Sequence, residues 1–239
     1  MNKWKEITQS RNDIKVELIK HNWPQPSLKL TIKGSTSENK KSEIIVGGHV
    51  DSINTDDEGV NTPAPGADDN ASGISVITEI LRVLVKNSYS PKNNITFFAY
   101  AAEEVGLKGS YEIAESYANK NKIVKGVLQL DGTNYNGSLK EIILIRDNTS
   151  AEQNKFLGNL IDQYIKVPWG YDSCGYACSD HYAWTYNGFK ASYPFEALVA
   201  EENPNIHTTD DTLENMSNSA SHSVLFAKLG IAFILESDK

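Results

Sequence analysis

Cysteine is almost absent from this chain: two residues, Cys174 and Cys178, stand among 239. No second pair exists to complete a structural zinc site. CGYAC is read foremost as a disulfide closing a tight loop, with half of a metal site and two reduced thiols as the alternatives. A disulfide there implies an oxidising compartment. Long apolar runs are missing as well, and none approaches the ~20 residues that span a bilayer. The amino-terminal MNKWKEITQSRND is polar and shows no apolar signal core. Positive charge is in deficit, with a net charge of −8, which argues against nucleic acid or an anionic membrane as a partner. Repeats, low-complexity tracts and linkers are also lacking, so residues 1–239 are expected to form a single domain and a monomer.

What is present is a core and an alternating pattern. Apolar residues make up 39% of the chain, enough to bury a sizeable interior. Strands are expected at 16–20, 28–33, 43–48, 95–102, 124–131 and 142–145. Helices are expected at 71–86, 106–119, 152–165 and from about 220 to 235. The stretch Asp56–Asp69 carries the glycine and proline signals of a loop. Strands alternating with helices predict an α/β fold, with a mostly parallel central sheet flanked by helices on both faces.

Five residues of metal-ligating type fall at strand ends or in loops: His49, Asp69, Glu104, Asp131 and His207. Open α/β sheets bind ligands at the carboxyl ends of their strands. Two imidazoles and three carboxylates are the right stock for a pair of zinc ions sharing one aspartate. Three carboxylates and a bridging hydroxide would balance the charge of two Zn²⁺. Such metal pairs, roughly 3.5–4 Å apart, polarise carbonyls and generate hydroxide at neutral pH. A hydrolase is therefore the leading expectation. Singly, either histidine would more often be structural or solvated, and Glu103–Glu104 an exposed pair. Six apolar residues leading into that pair argue against exposure.

The motifs GGHVDS (47–52), PGADDNASG (65–73), FFAYAAEEVGLKGS (97–110), LQLDGTNY (128–135), CGYACSDH (174–181) and NPNIHTTDDTL (203–213) resemble the zinc aminopeptidases of family M28. The secreted bacterial leucyl-type enzymes with a di-zinc centre are the nearest in pattern. The resemblance runs in register from about residue 14 to the carboxyl end and implies the zinc-dependent exopeptidase type of fold. It makes Asp69 the carboxylate bridging two Zn²⁺, with His49 and Asp131 on one ion and Glu104 and His207 on the other. Asp51 would orient the His49 imidazole. Glu103 would be the general base acting on a metal-bridging hydroxide, and Tyr176 would stabilise the carbonyl oxygen. The implied substrates are peptides with a free amino terminus, and the implied location is secreted or periplasmic. Asp68 is expected to bond within its loop, and His181 to cap or pack the helix after it. His21 and His222, outside every motif, are expected at the surface.

The sequence departs from leucyl-type relatives at the specificity pocket, placed at Gly132, Tyr193, Phe195, Val199, Glu202 and Ile206. Gly132 and Val199 are smaller than usual, and Glu202 stands where an aromatic is typical. These changes suggest a deeper, acidic pocket suited to Lys or Arg, unless Glu202 faces solvent. Only 48 residues precede His49, so part of one sheet face is expected to be less covered. The alternatives within the fold are a carboxypeptidase and a single-zinc glutaminyl cyclase. A non-catalytic, receptor-like domain is disfavoured, because no ligand and no base is missing.

Overall fold

Strand β3 (Glu43–His49) is buried along its whole length, which requires a neighbour on each edge and a layer on each face. The computed structural model, which describes residues 1–37, 42–56 and 61–239, supplies both. β3 pairs in parallel with β4 (Asn94–Tyr100) on one edge and with β5 (Val124–Gln129) on the other. The two-residue β8 (Ala191–Ser192) extends the parallel part beyond β5. Beyond β4, β2 (Ser27–Ile32) and β1 (Ile14–Ile19) run antiparallel, giving the order β1-β2-β4-β3-β5-β8.

The period of two along each strand separates two cores. Ile44 and Val46 of β3 join Phe97 and Leu128 beneath α2 (Ala71–Lys86), α6 (Ser223–Ser237) and α4 (Ala151–Leu160). Ile45 joins Phe98 and Val127 beneath α3 (Lys108–Asn119) and α5 (His181–Tyr186). α2 presents Val76, Ile77, Ile80, Leu81 and Leu84 to the first core. Each such side chain, fully buried, stabilises the fold by about 1.5–3 kcal/mol. Asn70 caps α2 by accepting from the Gly73 amide at 2.9 Å. Gly73 itself lies against the chain after β5, where a Cβ would stand 2.3 Å from the Leu130 carbonyl oxygen.

Several boundaries differ from the sequence expectation. β4 stops at Tyr100 and β5 at Gln129, although apolar residues continue past both ends. Ala102 lies at φ +57, in the left-handed region, and cannot extend a strand. β6 (Ile142–Ile145) is absent from the main sheet. It centres a second, three-stranded sheet between β7 (Trp169–Asp172) and β9 (Pro194–Phe195). The helix expected at 152–165 is α4 followed by a π-helical turn, Ile161–Ile165. The polar amino terminus forms α1 (Asn2–Thr8), which buries Trp4 and donates its indole N–H to Thr78 of α2 at 2.8 Å. Residues 57–60 of the expected loop lie outside the described residues. Among the described residues, no helix is long and apolar enough to cross a membrane.

Candidate metal centre

The parallel strands deliver their acids and imidazole to one edge of the sheet. His49 is the last residue of β3, Glu103 and Glu104 follow β4, and Asp131 follows β5. Asp69 immediately precedes the cap of α2, and its peptide bond to Asn70 is cis. The Asp68 and Asp69 amides both donate to the Asp211 carboxylate, at 3.0 Å each, which fixes the loop. Asp211 thus belongs to the site's frame, and spacing alone gave no sign of it. His207 comes from a loop before α6 and takes a left-handed backbone, φ +61.

All five sequence-predicted residues meet. His49 Nε2 lies 2.9 Å from Asp69 Oδ1 and 3.1 Å from Asp131 Oδ1. His207 Nε2 lies 2.9 Å from Asp69 Oδ2 and 3.3 Å from Glu104 Oε2. Asp69 therefore turns one carboxylate oxygen to each imidazole. Donor atoms of His49, Asp69 and Glu104 all fall within 4.8 Å of one another. Among the described residues Glu104 Oε1 is buried without a hydrogen-bond partner, and Asp69 Oδ1, though 2.9 Å from His49 Nε2, receives no well-directed bond, an arrangement that is costly unless a cation takes their lone pairs.

Electrostatics point the same way. Burial opposes charge on His49, yet Asp131 and Asp69 hold its pKa well above the ordinary imidazole value. Hydrogen bonding to Asp69 and Glu104 pushes His207 up to about 10. Burial, with Asp180, Asp131 and Glu104 nearby, pushes Glu103 up to about 10. Despite burial, the two imidazoles hold Asp69 below the ordinary carboxylate range, so protons gather on the histidines and on Glu103. Two imidazoles and three carboxylates with orphaned oxygens fit divalent cations.

Asp51 acts differently from its expected role. His49 Nδ1 bonds the Asp51 main-chain carbonyl at 3.0 Å, while the Asp51 carboxylate stays 3.8 Å away. That carboxylate instead accepts from the Glu103 and Glu104 amides, at 3.2 Å each. Behind Asp131 stands a buried chain that sequence reasoning missed. Ser179 donates to Asp131 at 2.5 Å, and Gln129 donates to Ser179 and Asp180 at 3.0 Å. Asp68 does bond within the loops, accepting from the Asn134 amide and from Asn203, both at 3.1 Å. It also faces Glu196, another buried acid that the motifs did not single out.

The model of peptidase family M28 matches residues 29–231. This chain belongs to peptidase family M28. A probable leucine aminopeptidase of Arthroderma benhamiae is 39% identical over 233 residues, covering 93% of this chain and 60% of that protein. The structure of LapB from Legionella pneumophila superposes with a TM-score of 0.88 at 37% identity, covering 99% of this chain and 63% of that one. BSAP, a zinc aminopeptidase from Bacillus subtilis, shares the fold with a TM-score of 0.75 at 23% identity, over 90% of this chain and 50% of that one. The chain thus spans less than two thirds of each of these relatives.

In this M28 chain a cavity of about 250 Å³ opens beside the cluster. Asp69, Glu103, Glu104, Asp131 and His207 line it, together with Tyr176 and all six expected pocket residues. His49 and Asp51 are not among the residues that line it. Cys174 and Cys178 are bridged, with Cα atoms 6.3 Å apart, and both line the cavity beside Tyr176. Tyr176 is 67% exposed and lines the cavity. Glu202 is half-buried in the wall, and burial raises its pKa against the opposing effect of His207. Gly132 does not enlarge the floor as expected. Its φ is +52, and a Cβ there would stand 2.6 Å from the Phe195 ring, which already fills the space. His181 packs at the start of α5, bonds the Asp147 carbonyl at 3.1 Å and stacks on Tyr193. His21 and His222 are buried and hydrogen-bonded, contrary to the expected surface placement, because residues far along the chain cover them.

Proposed function

We propose that this chain is a di-zinc aminopeptidase, one catalytic domain that releases the amino-terminal residue of peptides. The observation that carries the proposal is Asp69, set between two imidazoles with one oxygen 2.9 Å from each. His49 and Asp131 would hold one Zn²⁺, Glu104 and His207 the other, and Asp69 both. The zinc aminopeptidase named among the structural neighbours supports the choice of metal. Bound zinc supplies a polarised substrate carbonyl and an acidified water.

The remaining work falls to side chains. Glu103 lines the cavity beside Glu104 and Asp131, and once cations offset the neighbouring carboxylates that raise its pKa, its own carboxylate would take the proton from the attacking water and return it to the leaving amine. The Tyr176 hydroxyl donates to the carbonyl oxygen as negative charge gathers on it. Asp51 holds the Glu103–Glu104 backbone, and Ser179 holds Asp131.

The sign of the cavity argues for a substrate's amino end over its carboxyl end. With Asp69, Glu104 and Asp131 committed to the metals, Glu103, Glu196 and Glu202 still line it, and among the described residues no lysine or arginine does. An ammonium is drawn to such a wall and a carboxylate is repelled. The same reasoning makes Glu202 a partner for a Lys or Arg side chain at the first position. Released product and bridged cysteines suit an oxidising, secreted or periplasmic setting for a monomer. A panel of Leu, Phe, Lys, Arg and Glu nitroanilides, with and without chelator, tests the reading. Chelator-sensitive release is expected. Activity only on peptides with free carboxyl termini, or cyclisation of amino-terminal glutamine with one metal, would replace it.

A further inference from the structure

The segment Ala101–Glu104 joins β4 to the loop before α3, and among the described residues none of its amides has a main-chain partner. Four side-chain oxygens take them in order. Ala101 N donates to Ser27 Oγ at 3.0 Å and Ala102 N to Gln25 Oε1 at 2.9 Å. Glu103 N and Glu104 N donate to the two oxygens of Asp51, at 3.2 Å each. In the middle of the run, Ala102 is held at φ +57, a conformation that L side chains disfavour and that persists only where its surroundings impose it.

Asp51 grips the glutamate side of that residue; Gln25, in the turn between β1 and β2, and Ser27, the first residue of β2, grip the other side. The turn is itself well anchored. Ser27 Oγ bonds His21 Nε2 at 2.7 Å, and His21 Nδ1 bonds Glu112 of α3 at 2.9 Å. The His21 ring stacks on Trp23 with centroids 4.4 Å apart. Gly109 makes room for this junction, since a Cβ there would stand 2.4 Å from the Ala101 carbonyl oxygen and 2.9 Å from Ser27 Oγ.

We propose that Gln25 is a positioning residue for Glu103 and Glu104. Its side-chain oxygen holds Ala102 in the left-handed conformation and so aims both glutamates into the cavity. The catalytic part of this inference rests on reading Glu103 as the general base; the conformational part does not. Without the oxygen, the Ala102 amide loses its acceptor among the described residues, and of the bonds to the residue itself only that from Lys108 N to its carbonyl, at 3.0 Å, still opposes relaxation to negative φ. That relaxation turns the following peptide planes and displaces Glu103 by an ångström or more. Misplacement on that scale costs about a hundredfold in rate.

The test compares Gln25→Met, which keeps length and removes the acceptor, with Gln25→Glu, which keeps an acceptor oxygen. For Gln25→Met we expect kcat to fall ten- to hundredfold with KM within threefold. Amide hydrogen exchange at 102–104 should accelerate at least tenfold. Gln25→Glu should restore both to within threefold of the wild type. A role in general stability would instead lower Tm and speed exchange across β1 and β2, leaving kcat of the folded fraction unchanged. If Gln25→Met does not fold, Gln25→Asn, which withdraws the oxygen by one carbon, is read in the same way. Unchanged exchange at 102–104, or unchanged kcat with altered exchange, overturns the proposal. A wild type without peptidase activity would defeat the proposed function, and the exchange measurement alone would then decide the role of Gln25.

Discussion

Replacing Glu202 with glutamine removes one negative charge from the cavity wall and leaves its shape nearly intact. Two unit charges 4 Å apart attract by about 4 kcal/mol at an effective dielectric of 20. Glu202 is only half-buried, so solvent screening and the cost of desolvating a lysine ammonium remove much of that. Hydrogen bonds to charged groups contribute about 1.5–3 kcal/mol net. The expected consequence is a ten- to hundredfold loss of kcat/KM on Lys and Arg nitroanilides, with Leu changed less than threefold. Glu202→Tyr should go further and move the preference to Leu and Phe. Burial raises the Glu202 pKa, so the Lys preference should fade at a higher pH than an exposed glutamate would give. Added salt should weaken it. The reasoning is refuted if the wild type cleaves Leu tenfold better than Lys, about 1.4 kcal/mol of transition-state binding, or if Glu202→Gln leaves the Lys/Leu ratio unchanged.

Three further outcomes follow from the same geometry. Glu103→Ala should lose at least a hundredfold in kcat and retain both metals, whereas Glu104→Ala should lose or loosen one. Metal analysis giving the opposite pattern would exchange the two roles. The Cys174–Cys178 bridge closes a loop of sequence separation 4, which stabilises the fold by only about 2 kcal/mol. The Cys174→Ser/Cys178→Ser variant should therefore stay folded at 25 °C yet lose kcat as Tyr176 is released. Full kcat in that variant, or two free thiols in fully active native protein, would separate the bridge from catalysis. His181 is buried, and burial lowers its pKa to about 4. The unfolded chain then binds the extra proton first, so this contribution is present in full above pH ~6.5 and is lost as pH falls toward 4. Urea titrations at pH 7 and 4.5 should show about 2 kcal/mol of pH-dependent loss that His181→Phe lacks.

The buried parallel strands were legible because β3 has no polar face to misread, and His49 ends its strand while Glu103 and Asp131 fall just past theirs. Strand ends were less legible. The apolar pattern of AYAA runs on through Ala101 and Ala102 while the backbone has already left the sheet. β8 and β9 are two residues each, too short for any period to register. Spacing put Asp51 beside His49 but could not say which oxygen faces the ring; the carbonyl does, and the carboxylate serves Glu103 and Glu104. The missing side chain of Gly132 reads as open space in sequence, yet a phenylalanine from another strand occupies it. His21 and Gln25 gave no signal because their partners, Glu112 and Ala102, lie 91 and 77 residues away.

The central claim is that Asp69 joins two zinc ions into one catalytic centre. Its most direct test is a zinc titration of metal-free protein, with bound metal measured by plasma emission and hydrolysis of an aminoacyl nitroanilide followed in the same samples. The account predicts two equivalents of Zn²⁺ bound per chain, with activity absent from the metal-free protein and complete only when the second site fills. Full activity without metal, or complete activity at one equivalent with no second ion bound, would contradict it.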